Sequence, residues 1–137
     1  MPVEISYTNP TGLGQALGQY SQITRLRNPS EWLFIAGQLA TDTGGNMVGI
    51  DDFDAQCMQV FKNIEAALKS AGAGWGNIVQ FTTYLVHSQD ITKFMAFRKR
   101  EFPILFPDGK YPPNTLLIVD RLVGESFLVE VQPVAAI

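Results

Sequence analysis

Hydrophobic and polar residues alternate in short runs near the start of the chain, and this period of two is typical of strands. Residues 20–27 and 32–36 are the first two clear runs. The segment between them, residues 28–31, begins with an Asn-Pro pair, which favours a turn. We therefore predict that the two runs form a hairpin.

The hydrophobic spacing changes to three and four residues in two later segments, which is the period of a helix. The first helix is predicted from the stripe Cys57, Val60, Phe61, Ile64, Leu68 and Ala71, with Gly72 as its stop. Three acidic residues, Asp51, Asp52 and Asp54, suit its N-terminus, where backbone amides are exposed. The second helix is predicted from Ile91, Phe94, Met95, Arg98 and Phe102, with capping residues at 88–90 and Pro103 and Pro107 closing it.

Three more strands are predicted, over residues 78–86, 116–119 and 127–136. The order ββαβαββ defines an α+β fold in which two helices cover one face of a mixed sheet. The run at 116–119 is apolar without interruption, which predicts burial on both faces. Since no further helix is available for the second face, we expect other copies of the chain to cover it in a closed homo-oligomer.

Composition narrows the classes of protein to consider. A chain of 137 residues with 46% hydrophobic content predicts one domain over residues 1–137. The net charge of -3 gives no attraction to nucleic acid or to an anionic membrane. Cys57 is the only cysteine, and the first residues lack a secretory pattern, so a cytoplasmic location is expected. No His and Cys cluster has metal-ligand spacing, so no metal site is predicted.

One charged residue interrupts the apolar C-terminal strand. Glu130 stands between Val129 and Val131, and a carboxylate in such a place either works chemically or looks into solvent from a half-exposed sheet. Strand alternation puts Glu130 on the face opposite the two valines, which favours solvent when the residue is taken alone. Both interpretations stay open at this point.

Several short segments carry a resemblance to a known family. They are Gly18-Gln19-Tyr20-Ser21-Gln22, Phe34-Ile35-Ala36-Gly37-Gln38, Tyr111-Pro112-Pro113-Asn114-Thr115, Arg121-Leu122 and Leu128-Val129-Glu130-Val131. In this order they resemble the RidA (YjgF/YER057c/UK114) family over nearly the whole chain. The resemblance implies a chorismate-mutase-like fold, a homotrimer with a barrel-like core, and three small-molecule clefts between subunits.

The resemblance also implies an activity. Members of the best-known branch hydrolyse reactive enamines and imines, made by pyridoxal-phosphate enzymes, to a keto acid and ammonia without a cofactor. Glu130 matches the carboxylate that steers water, and Tyr20 matches the cleft tyrosine that positions substrate or water. The backbone amide of Gly37 matches a donor to the substrate, and the backbone of Leu116 matches the remaining contact.

The departures from the family pattern concern the substrate. Active deaminases carry an arginine where this chain has Asn114, so the bidentate hold on a substrate carboxylate is missing. Ala36 replaces a serine, and the asparagine of the second helix falls at Met95. These residues predict a more apolar pocket and a neutral or weakly polar ligand instead of a simple 2-imino acid.

Three other arginines are candidates to replace the missing one: Arg25, Arg27 and Arg121. Each is otherwise an ordinary surface charge. The run Arg98-Lys99-Arg100-Glu101 is interpreted as a solvated helix face, and His87 as a surface or capping residue with no thiol partner.

Three functions remain. The first is a hydrolase acting on a C–N bond with Glu130 and Tyr20, and the second is a trimer that binds a small metabolite without turnover. An endoribonuclease or translation inhibitor stands last, because the chain offers neither the charge nor a general-base pair for it.

Overall fold

The computed structural model describes all 137 residues and contains six strands and two α-helices. They are β1 (Glu4–Thr8), β2 (Ile23–Arg27), β3 (Trp32–Phe34), α1 (Phe53–Ser70), β4 (Ile78–Leu85), α2 (Asp90–Leu105), β5 (Asn114–Ile118) and β6 (Val129–Ala136). A short 3-10 turn at Trp75–Asn77 leads into β4. The order has one more strand than predicted, because β1 was missed although its residues alternate in exposure.

The main sheet has four strands in the order β3-β6-β4-β5, and it is mixed as predicted. Strands β4 and β5 run parallel, whereas β6 is antiparallel to both β3 and β4. The predicted hairpin is wrong, since β2 pairs with β1 in a separate two-stranded sheet. The chain after β2 turns through Asn28, at φ 57°, and the amides of Ser30 and Glu31 then bond to the carbonyl of Ile137. These bonds direct β3 to the edge of β6 instead.

Both helices cover one face of the main sheet. Buried side chains of α1 and α2 join one hydrophobic cluster with alternate residues of β4 and β6, namely Phe81, Leu85, Val129, Val131 and Ala135. Helix α1 begins as predicted, because the carboxylate of Asp52 accepts a hydrogen bond from the amide of Ala55 at 3.0 Å. Helix α2 differs at both ends: no side chain caps its start, and it continues past Pro103 to Leu105.

The opposite face of the sheet is open in one chain. Phe34 is 79% exposed and Trp32 is 49% exposed, and the two rings stack on this face beside β6. Strand β5 is an edge strand with Leu117 and Ile118 exposed, so the predicted burial of both its faces is not met within one chain. Covering of this face by other copies stays a prediction.

Candidate functional site

A small cavity lies where the edge of β5 meets helix α2. Its volume is about 230 Å³, and its walls are Leu17, Tyr20, Ile91, Met95, Arg98, Asn114 and Leu116. Four of the residues expected from the sequence are therefore brought together: Tyr20, Met95, Asn114 and Leu116. Arg98 was not expected there.

Strand register explains how Asn114 reaches the cavity. Asn114 begins β5 opposite Phe81 of β4, and Leu116 lies opposite Thr83, so all four side chains project to the helix side of the sheet. The hydroxyl of the buried Thr83 donates a hydrogen bond to Oδ1 of Asn114 at 2.7 Å. Because this bond occupies the oxygen, the amide NH2 group of Asn114 remains to serve a ligand.

Tyr20 closes the cavity from the segment before β2. Its hydroxyl accepts a hydrogen bond from the amide of Leu17 at 3.2 Å, which holds this segment against the ring. The hydroxyl proton is not used by this bond and is free to be donated.

Helix α2 forms the remaining wall. Ile91, Met95 and Arg98 follow one another at spacings of four and three residues, so they lie on one stripe of the helix. Arg98 is only 4% exposed, and its Nε and Nη1 atoms have no hydrogen-bond partner. The guanidinium carbon lies 5.0 Å from the centre of the Phe94 ring. Burial lowers the pKa of Arg98, an effect opposed by the nearby Tyr20.

The interpretation of Arg98 as part of a solvated helix face is therefore wrong. The neighbouring residues Lys99 and Arg100 are exposed as expected, but Arg98 falls on the apolar stripe at the i+3 and i+7 positions from Met95 and Ile91. The spacing that predicted α2 already placed Arg98 in line with Ile91 and Met95, and it was correct where the interpretation of the charge run was wrong.

Glu130 lies on the other, open face of the sheet. It is opposite Tyr84 on β4 and half-buried, on the face opposite Val129 and Val131 as strand alternation predicted. Burial raises the pKa of the Glu130 carboxyl above its usual value. A proton acceptor with a raised pKa is better matched to work near neutral pH than an ordinary surface glutamate.

Gly37 supports this carboxylate. A side-chain Cβ built on Gly37 would overlap Oε2 of Glu130 and lie 2.7 Å from its Cδ, so the carboxylate rests directly on the glycine backbone. The Gly37 amide donates no backbone hydrogen bond, although its neighbour Gln38 pairs with Val131 of β6. An unpaired amide beside a carboxylate can donate to the polar group of a ligand. Ala36, next to it, is exposed.

The expected site thus falls into two parts within one chain. The cavity part contains Tyr20, Asn114 and Leu116 on the helix side of the sheet, and the carboxylate part contains Glu130 and Gly37 on the open face. Neither Glu130 nor Gly37 lines the cavity.

The three arginines proposed as replacements do not enter the cavity. Arg25 and Arg27 are exposed on β2, and Arg121 forms an ion pair with Glu125 at 3.2 Å in an exposed loop. His87 is exposed, and Cys57 is fully buried, where burial raises the pKa of its thiol. A larger cavity of about 680 Å³ lies along α1 and α2 and contains none of the expected site residues.

No group of three or more His, Cys, Asp or Glu side chains is arranged to hold a metal ion. Neither helix is long and apolar enough to cross a lipid bilayer.

Comparison with known proteins identifies the family. The family model described as Endoribonuclease L-PSP matches residues 13–137. A RutC family protein of Aquifex aeolicus is 36% identical over 119 residues, covering 87% of this chain and 89% of its own. The human 2-iminobutanoate/2-iminopropanoate deaminase is 27% identical over 92 residues, covering 67% of this chain and 65% of its own.

A solved structure shares the fold. The protein YyfB of the Rid family, from Yersinia pestis, has a TM-score of 0.85 at 24% identity, covering 97% of this chain and 98% of its own. The chain belongs to the RidA/YjgF family, whose family model carries the Endoribonuclease L-PSP description, and the resemblance found in its motifs is confirmed.

Proposed function

We propose that this protein is a hydrolytic deaminase that acts on a small reactive enamine or imine, with Glu130 steering the attacking water. The observation that carries the proposal is the half-buried Glu130 carboxylate, with its raised pKa, resting on the backbone of Gly37. The name of the human relative, an imine deaminase, supports the same class of reaction.

The reaction requires few groups. An imine carbon is electrophilic, so a water molecule held beside it adds its oxygen to the carbon while Glu130 takes a proton from that water. The proton then passes to the nitrogen and gives a carbinolamine. Collapse of the carbinolamine forms the C=O bond and expels ammonia, so one water and one imine give one carbonyl compound and one ammonia.

Each remaining residue has a supporting part in this scheme. An enamine first accepts a proton on carbon to become the imine, and a carboxyl group with a raised pKa can supply that proton. The free Gly37 amide binds the substrate's polar group, and Tyr20 positions the substrate or the water. The Leu116 backbone completes the contacts in this proposal.

The proposal includes a homotrimer with a barrel-like core and clefts between subunits. Glu130 and the cavity at the β5 edge face different sides of the sheet, so a neighbouring copy is needed to bring a carboxylate to a cavity. The exposed aromatic pair on the open face supports such packing, because large apolar patches usually mark interfaces.

A second candidate is a trimer that binds a small metabolite without turnover. Asn114 favours it, since an asparagine holds an anion less firmly than the arginine of the active family members. Ribonuclease activity ranks last of the three candidates, because the net charge of -3 opposes binding to a phosphate backbone.

The test is ammonia release from freshly generated imines by the wild-type protein and by Glu130→Gln. Glu125→Gln is the matched control, because it removes a carboxylate that is exposed in a loop. We expect turnover in the wild type and the control and a loss of about 100-fold or more in Glu130→Gln, the usual scale for a lost general base. Absence of turnover in the wild type would favour the binding candidate.

A further inference from the structure

We propose that Arg98 is a ligand-binding residue and that the cavity beside it takes a small molecule carrying a carboxylate. This inference deepens the proposed function and rests on it for the location of the cleft. It assigns the anion-binding role to helix α2, a place in the fold different from the β5 position where the family's arginine is expected.

Two nitrogen atoms of the Arg98 guanidinium have no hydrogen-bond partner within the chain. Arg98 is 4% exposed, and the structure gives its Nε and Nη1 neither a carboxylate nor a carbonyl as partner. A buried cation without an acceptor is costly, because both its solvation and its hydrogen bonds are lost. The Phe94 ring at 5.0 Å compensates only in part, since a cation–π contact provides no acceptor for the N–H groups. Arg98 lines the cavity, so an anion there would lie beside the guanidinium and balance its charge.

The cavity presents hydrogen-bond donors. Its three polar side chains all have a free donor: the Arg98 guanidinium, the amide NH2 of Asn114, which Thr83 leaves unpaired, and the hydroxyl of Tyr20. Within one chain no aspartate or glutamate lines the walls, and the Glu130 that a neighbouring copy brings in the proposed trimer is assigned to the attacking water. The donors of this chain select a ligand that accepts hydrogen bonds, and the single cation selects a negative one.

The size and the apolar walls of the cavity favour a small anion. The cavity holds about 230 Å³, which is below the usual range for drug-sized ligands, and Leu17, Ile91, Met95 and Leu116 make the rest of its wall apolar. This combination fits a short aliphatic acid. A phosphate group carries more charge and more acceptors than one arginine and two neutral donors satisfy, so a carboxylate with a single charge matches Arg98 better.

Binding of the carboxylate by Arg98 would explain why position 114 holds an asparagine. An arginine at position 114 would bring a second cation into the same small cavity as Arg98, and the two would repel each other. Asparagine avoids this repulsion and adds a neutral donor. The neutral ligand expected from Asn114 alone is therefore replaced by an acid whose carboxylate is held from α2.

The test is binding of pyruvate, pyruvamide and inorganic phosphate, measured by calorimetry on the purified full chain. Pyruvate and pyruvamide have nearly the same shape and differ in the charge of one end. We expect pyruvate to bind about 10- to 100-fold more tightly than pyruvamide, the range of a charge-assisted hydrogen-bonded pair. In Arg98→Met that difference should vanish, and in Arg98→Lys part of it should remain, because lysine keeps the charge but not the shape of the guanidinium.

A stability measurement guards against a variant that fails to fold. Since Arg98→Met replaces an unpaired buried cation by an apolar group of similar length, we expect a Tm equal to or above that of the wild type. Pyruvate should raise the Tm of the wild type and not that of Arg98→Met. If Arg98→Met dissociates the oligomer or lowers its Tm, a carboxylate of a neighbouring subunit is the partner of Arg98, and the inference is overturned.

Other outcomes would also overturn it: equal binding of pyruvate and pyruvamide to the wild type, or phosphate binding more tightly than pyruvate. The result is separable from that for the proposed function, because binding needs no turnover. Preference for pyruvate that depends on Arg98, without ammonia release from any imine, would leave this inference standing and refute the deaminase. Ammonia release without that preference would support the deaminase and refute the anion-binding role of Arg98.

Discussion

The contact between Gly37 and Glu130 gives a prediction in which activity and stability separate. In Gly37→Ala the new methyl group would occupy the place of Oε2 of Glu130. The Cδ atom, 2.7 Å from the built Cβ, would have to retreat to the 3.4 Å of an ordinary contact, and the carboxylate would move with it. The backbone itself need not change, because Gly37 is not among the glycines with positive φ.

The expected magnitudes follow from this displacement. A shift of about 1 Å in a group that handles water costs on the order of 100-fold in rate, so kcat/KM for ammonia release should fall by about that factor. Stability should change by about 1 kcal/mol or less, because the atoms that give way are the end of a half-buried side chain, and alanine reduces the freedom of the unfolded chain.

The assay pairs imine hydrolysis with urea unfolding on the same preparations. Gly76→Ala is the matched control, since a Cβ on Gly76 meets nothing within 4 Å. A double-mutant comparison then assigns the effect: in a Glu130→Gln background, Gly37→Ala should cost little further activity. Full activity in Gly37→Ala, or an equal loss of activity in both backgrounds, would refute the reasoning that Gly37 acts through the position of Glu130.

Two other predictions concern the cavity and the open face. Thr83→Val removes the hydroxyl that holds the Asn114 amide, so KM for imine hydrolysis should rise by several-fold, whereas Thr83→Ser should stay near wild type. Equal KM values for the two variants in steady-state kinetics would contradict the role of this bond. Phe34→Glu puts a charge on the exposed aromatic patch, so light scattering should show monomers and imine hydrolysis should be lost. The control Ile104→Glu, at an exposed apolar residue of α2, should leave the oligomer intact. An unchanged mass in Phe34→Glu would contradict the prediction that the open face is the interface.

The helices and the main strands could be predicted from local signals. The α1 stripe from Cys57 to Leu68 and the Asp52 cap depend only on residues a few positions apart, and the structure confirms both. Strand β4 was predicted within one residue for the same reason. Pairing was harder: β2 joins β1, and no local pattern records that the amides after Asn28 bond to the distant Ile137.

The site was partly predictable because the family motifs fix positions and not surroundings. Tyr20, Asn114 and Leu116 do line one cavity, but their roles stay predictions. Arg98 lay on the predicted stripe of α2, but its charge run was interpreted as a solvated face, so its place in the cavity was missed. The support of Glu130 by Gly37 also depends on tertiary contact between β6 and the loop after β3.

The pH dependence of kcat/KM for imine hydrolysis tests the central claim most directly. Because burial raises the pKa of Glu130, its basic form is present above that pKa and is lost as the pH falls through it. The account predicts an acidic limb in the wild type, with a midpoint above the ordinary carboxyl value of 4.5, that disappears in Glu130→Gln and persists in Glu125→Gln. The same limb in wild type and Glu130→Gln, at similar rates, would show that Glu130 is not the base.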